Sequence, residues 1–169
     1  MNYHNIKHDD MNNGDGIRVT LFVSGCEHHC HNCQNPQTWD YNSGIEFDEN
    51  AFNELCIEMD KDYISGITFS GGDPLAPQNV EKVKDIVVNL KKLFPSKTVW
   101  MYTGYKYEQL LFEGKHDVIQ ILKHIDVLVD GRYVEDKRDV SLKWRGSSNQ
   151  RVLDMQKSLI KGKEVLYCE

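Results

Sequence analysis

The sequence predicts an α/β protein with a mainly parallel sheet of about five strands, arranged as an abbreviated, partial (β/α) barrel. Three observations carry this. The 169 residues suit one domain on the usual scale of roughly 100–200 residues, and they fall short of the roughly 250 residues of a complete eight-unit barrel. Apolar, β-branched runs of strand length recur along the chain, separated by stretches whose apolar residues repeat at helical spacing. No internal repeat, low-complexity tract or Pro/Ser-rich linker divides it, so one domain over residues 1–169 is expected, with a C-terminal extension from about residue 152.

Ile17-Arg-Val-Thr-Leu-Phe-Val23 is the first expected strand and stops at Ser24-Gly25. Asp48 is placed to cap a helix whose apolar positions Phe52, Leu55, Cys56 and Met59 repeat at i, i+3, i+4 and i+7, ending near Lys61. Ile64-Ser-Gly-Ile-Thr-Phe69 is a short strand running into Gly71-Gly72-Asp73-Pro74. Asn79 is expected to cap a second helix carrying Val80, Val83, Ile86, Val87, Leu90 and Leu93 on one stripe, and Pro95 stops it. Thr98-Val-Trp-Met-Tyr102 is the third strand, followed by Thr103-Gly104 and two short helical patterns around residues 107–112 and 116–122. Ile125-Asp-Val-Leu-Val129 is the fourth, broken at Asp130-Gly131. Arg151-Val-Leu-Asp-Met155 reads as a further strand, and residues 159–167 as a strand or a terminal arm. Strands separated by helices imply βαβ units and hence parallel pairing.

Composition narrows the function. Twenty Lys and Arg against 26 Asp and Glu leave a formal charge of −6, the wrong sign for a surface that embraces nucleic acid, so no nucleic-acid partner is expected. With 40% hydrophobic and 27% charged residues, the chain can bury a core. No apolar run approaches the roughly eighteen residues of a membrane helix, and the polar opening Met1-Asn-Tyr-His-Asn lacks a signal-peptide core. Neither membrane nor export is expected, and the cytoplasm is the default compartment.

In parallel α/β sheets, ligands collect beyond the carboxyl ends of the strands, where the loops entering the helices gather. The segments that look chemical all follow strands: a cysteine loop after the first, Gly-Gly-Asp-Pro after the second, Thr-Gly after the third and Asp-Gly after the fourth. They are expected to share one mouth. Of five cysteines, Cys26, Cys30 and Cys33 crowd into eight positions, while Cys56 and Cys168 stand apart. An odd, clustered set is no disulfide framework and points to metal or redox chemistry. A cubane iron–sulfur cluster is usually held by four thiolates. Three leave one iron with an open position, where small-molecule chemistry can begin. A structural zinc ion held by the same thiolates and one histidine is the alternative, with His28, His29 and His31 inside the loop. His116, His124, Cys56 and Cys168 are more distant donors for it.

Cys26-x3-Cys30-x2-Cys33 after one strand and Gly71-Gly72-Asp73-Pro74 after the next resemble the radical S-adenosylmethionine (radical SAM) superfamily. Within it, Arg18-Val-Thr-Leu-Phe-Val-Ser-Gly-Cys26, Gln34-Asn-Pro, Thr38-Trp39, Tyr102-Thr-Gly-Tyr105, Val127-Leu-Val-Asp-Gly-Arg132 and Trp144-Arg-Gly-Ser-Ser-Asn-Gln150 resemble the activases of the anaerobic ribonucleoside-triphosphate reductase. The likeness runs from about Met1 to Arg151. The chain departs from the common superfamily pattern at Asn32, where many members carry an aromatic residue, and at Asp73, where many carry Glu.

The resemblance implies a radical SAM barrel in which Cys26, Cys30 and Cys33 bind a [4Fe–4S] cluster and S-adenosylmethionine chelates its fourth iron. Asn32, Cys33, Gln34, Gly71, Gly72, Asp73, Thr103 and Asp130 are the expected contacts to that nucleoside or a nearby cation. The glycine backbones would approach its methionyl part closely, although Thr103 and Asp130 serve equally well as helix caps. Trp39, Trp100 and Tyr102 read as core aromatics, and Cys56 as a buried apolar thiol. The implied partners are the large catalytic subunit of the reductase, which would receive a glycyl radical, and a flavodoxin-type electron donor. A different protein or small-molecule target for the same chemistry is the rival. Lys137, Arg138, Lys143 and Arg145 form a basic stretch that is either a docking surface or a solvated face.

Overall fold

A computed structural model describes residues 1–168; Glu169 lies outside the described residues. The strands are β1 (Asn2–Asp10), β2 (Ile17–Val23), β3 (Ile45–Glu46), β4 (Ile64–Gly71), β5 (Thr98–Tyr102), β6 (Val127–Asp130) and β7 (Arg151–Asp154). The helices are α1 (Glu49–Met59), α2 (Val80–Leu93), α3 (Tyr107–Glu113), α4 (His116–His124) and α5 (Met155–Lys161). The strands form one seven-stranded sheet in the order β3-β1-β2-β4-β5-β6-β7. Its centre is parallel, β2 to β4 to β5 to β6, while β1, β3 and β7 pair antiparallel at the flanks. The expectation of about five mainly parallel strands is therefore corrected to seven, of which four are parallel.

The additions have physical reasons. Polar residues dominate β1, and only Tyr3 and Ile6 bring buried apolar side chains to it. It is held by its ladder to β2 and shows no sustained alternation of its own. β3 is a two-residue pairing. Asp154 starts α5 by accepting the Lys157 amide at 2.9 Å, and Gly162 ends it in the left-handed region. Only beyond it does the chain run as an arm, with Leu166 bridging to Leu153 and the Tyr167 amide donating to the Val152 carbonyl at 2.8 Å.

Period-two alternation gives the sheet two different faces. Val19, Leu21 and Val23 of β2, Ile67 and Phe69 of β4, Val99 and Met101 of β5, and Leu128 and Leu153 beyond them are buried in the main core. α1, α2 and α4 cover that face with Leu55, Met59, Val83, Ile86, Val87, Leu90, Ile121 and Leu122. α1 is capped as expected, Asp48 accepting the Ala51 amide at 3.0 Å. The other face carries Arg18, Thr20, Thr68, Trp100 and Tyr102 in neighbouring registers.

At the amino end of this second face, Arg18 is fully buried and, among the described residues, has no carboxylate partner. Its guanidinium donates to the Thr68 and Thr98 hydroxyls at 2.8 and 2.9 Å, and to the Ile67, Asp15 and Thr98 carbonyls. It also lies 5.4 Å from the Trp100 ring centre. Burial pulls its pKa down to about 10, against the pull of surrounding negative groups. Trp144 and Tyr167 meet Trp100 edge-on at 4.9 and 5.2 Å, so the arm packs against this face. Beside it, burial would raise the Asp10 carboxyl, but hydrogen bonds from Asn13, the Asn12 amide, Thr20 and Lys7 prevail and hold it below its ordinary value. Among the described residues, no helix is long and apolar enough to cross a membrane.

Candidate functional site

The loops at the carboxyl ends of β2, β4, β5 and β6 border one cleft of about 530 Å³. Cys26, Cys30, Cys33 and Gln34 line one side; Gly71, Gly72, Asp73, Thr103 and Gly104 continue it; Gly131, Arg132 and Tyr133 stand across. Phe22, Ser70, Tyr102 and Trp144 also line it. The expected common mouth exists.

The cysteine loop leaves β2 under backbone control. The Gly25 amide donates to the Thr38 carbonyl at 2.7 Å and the Cys26 amide to the Trp39 carbonyl at 3.0 Å. The Asp73 amide returns to the Gly25 carbonyl at 2.8 Å, and the Gly72 amide to Val23 at 2.7 Å. Cys30 and Cys33 are joined by a turn in which the Cys33 amide donates to the Cys30 carbonyl at 3.1 Å. Asn32 adopts a left-handed backbone at φ 55° inside that turn, a conformation asparagine tolerates better than most residues. The Cys33 sulfur accepts the Asn35 amide at 3.4 Å. Burial pushes the Cys26 thiol up to about 11, opposed by hydrogen bonds from the His28 and His29 amides. A ligand must shed that proton to bind iron.

The backbone itself requires glycine at Gly71 and Gly72. A Cβ on Gly71, at φ 100°, would lie 2.6 Å from the Val23 nitrogen, and one on Gly72 would lie 2.5 Å from the Gly25 carbonyl oxygen. The missing side chains let the β4 loop press against the root of the cysteine loop. Gly71→Ala is therefore expected to cost about 1–3 kcal/mol for backbone strain, and to disturb the cysteine loop as well. Urea denaturation of the metal-free protein checks the first, and an unchanged midpoint would contradict it.

Asp73 is 1% exposed and fully occupied. Its carboxylate accepts the Leu75 amide at 2.8 Å, the Thr103 hydroxyl at 3.0 Å, the Gly104 amide at 2.9 Å and the His28 ring at 2.7 Å. It and Thr103 line the cleft, but their polar groups bind each other. Asn79, expected as a helix cap, makes no side-chain cap bond. Its amide instead ties the Ser24 carbonyl to that of Asp73, at 2.8 and 3.0 Å. Asp130 stands outside the cleft lining. It accepts the Tyr107 amide at the start of α3 at 2.8 Å and pairs with Arg151 at 2.5 Å. Asn32 is likewise off the lining, whereas Gln34 is on it.

Three thiols line one cavity from a loop whose root is held by backbone hydrogen bonds, a donor set that suits an iron–sulfur cluster. Comparison with known proteins agrees. The 4Fe-4S single cluster domain family matches residues 12–153. The anaerobic ribonucleoside-triphosphate reductase-activating protein of Enterobacteria phage T4 is 43% identical over 152 residues, 90% of this chain and 93% of the relative. The protein of that name from Escherichia coli K12 is 44% identical over 154 residues, 90% of this chain and 97% of the relative. The chain belongs to this reductase-activating family. Its family carries the cluster domain over the whole span from the loop before β2 to β7.

Several residues at the cleft were not singled out from the sequence as site residues. Trp39, Tyr102 and Trp144, read as core or left without a role, line it. Arg132 donates to the His28 carbonyl, and Gln150 holds the Gly131 carbonyl at 3.0 Å and the Gly146 amide at 2.9 Å. The segment of residues 144–150 was visible as a family motif; only the fold shows that it braces the far wall.

Proposed function

We propose that this chain is a radical SAM activase that installs a glycyl radical on the anaerobic ribonucleoside-triphosphate reductase. The observation that carries the proposal is the meeting of Cys26, Cys30 and Cys33 with the strand-end loops of β4, β5 and β6 around one cleft. The three thiolates would hold three irons of a [4Fe–4S] cluster, leaving the fourth for the amino and carboxylate groups of S-adenosylmethionine. When bound, the reduced cluster would supply one electron to the sulfonium, whose S–C5′ bond would break to give methionine and a 5′-deoxyadenosyl radical able to take a Cα hydrogen from a reductase glycine, leaving 5′-deoxyadenosine and a glycyl radical.

In this reading Gln34 and the carbonyls of Gly71 and Gly72 orient the nucleoside from the cleft wall. Asp73 and Thr103 hold the wall itself, Asn32 sets the turn carrying Cys33, and Asp130 fixes α3 beside the mouth. The whole chain serves as one domain, its sheet an abbreviated barrel open at the cysteine end. A flavodoxin-type protein supplies the electron in the cytoplasm.

Oxygen-free reconstitution tests the proposal. It should give about four iron and four sulfide per chain, the content of one cubane. Reduced protein should then release 5′-deoxyadenosine, and adding the reductase subunit should produce a glycyl-radical EPR signal on that subunit. Stoichiometric zinc without nucleoside cleavage would overturn the chemistry. Cleavage without a radical on the reductase would overturn the target.

A further inference from the structure

We propose that His28 is a positioning residue that locks the cysteine loop onto the other three strand-end loops. The role rests on the iron–sulfur reading above and deepens it.

The three histidines of the loop are placed very differently. His31 is exposed, and exposed His29 stacks on Trp39 at 4.6 Å. The His28 side chain is only 12% exposed. Its Nε2 pairs with Asp73 after β4 at 2.7 Å. Its ring meets the Tyr105 ring edge-on at 4.5 Å. It also fills the space left by Gly104 after β5, where a Cβ would fall 2.3 Å from the His28 Cδ2. Its carbonyl receives the Arg132 guanidinium from the loop after β6, and the Arg132 carbonyl is in turn held by Asn149 at 2.8 Å. One residue thus touches all three loops.

Among the described residues, residues 27–29 otherwise make no backbone–backbone hydrogen bond. The contacts of His28 with Asp73, Gly104, Tyr105 and Arg132 are therefore what hold the middle of the loop between Cys26 and Cys30. Freeing the imidazole should loosen the loop in the metal-free protein and speed loss of iron from the reconstituted one.

Hydrogen exchange of the metal-free protein and the rate of iron loss to a chelator from the reconstituted one test this together. In His28→Ala, amides of residues 26–33 should exchange about tenfold faster or more, the size expected for loss of a hydrogen bond to a charged group. Sheet amides of residues 98–102 should not change, iron should be lost faster, and His28→Gln should recover part of both. Gly104→Ala should reproduce the loosening by unseating the ring, yet add nothing in the His28→Ala background. His31→Ala should match the parent. Unchanged loop exchange in His28→Ala, or an equal effect of Gly104→Ala with and without His28, would overturn the role. If the parent takes up only zinc while the exchange pattern holds, the clamp stands and the catalytic reading falls.

Discussion

Replacing Cys30 by serine is expected to leave the protein folded but unable to retain iron or to release 5′-deoxyadenosine above background. Cys30 belongs to no buried apolar cluster; its side chain borders the cleft. The two backbone anchors of its loop, at Gly25 and Cys26, do not involve its sulfur. A substitution of this kind costs within about 0.5 kcal/mol of stability. A hydroxyl, by contrast, does not supply the thiolate that a cubane iron requires. Iron and sulfide analysis, EPR of the reduced protein and nucleoside chromatography read the loss, and a urea titration reads the retained fold. A scaffold ion would behave in the opposite way, with Cys30→Ser unfolding the chain. Cys56→Ser, altering a thiol packed on α1 against the main core, should keep the cluster.

The largest effect on stability is expected at the other end of the cleft. Trp100 is 1% exposed, and Arg18, Trp144, Tyr167 and Gly14 converge on it. A Cβ on Gly14 would already be 2.9 Å from its ring. Trp100→Ala removes the surface on which the C-terminal arm rests and leaves the buried guanidinium beside a cavity. The cost should be about 3–5 kcal/mol, as for other buried aromatic truncations. At roughly 2–4 °C per kcal/mol for a domain of this size, the melting point should fall by roughly 6–20 °C. Denaturant titration of the metal-free protein checks it; a loss below about 1 kcal/mol would show that the arm and the arginine find other support.

The parallel centre of the fold was legible because its signals are local and repetitive. Residues 17–23 and 98–102 were bounded correctly by their apolar, β-branched composition, and Asp48 by its cap chemistry. β1 was not, since its stability comes from a partner strand rather than from its own pattern, and α5 is too short for a period to emerge. At the site, the thiols, the glycines and the shared mouth could be read from spacing and from position after strands. The distribution of labour could not. Asp73, Thr103 and Asp130 occupy each other or a helix end, Asn79 ties two loops instead of capping one helix, and the glycines make room for backbone. A sequence shows which groups reach a region and stays silent on which neighbours satisfy them. His28 is the clearest case, because its partners lie 45 and 104 positions away.

Trp144 lines the cleft and also packs edge-on against Trp100, which in turn meets Tyr167 of the C-terminal arm. The described residues of the arm itself lie outside the lining. Unseating it would therefore be felt at the cleft through a shared indole, without anything entering the cavity.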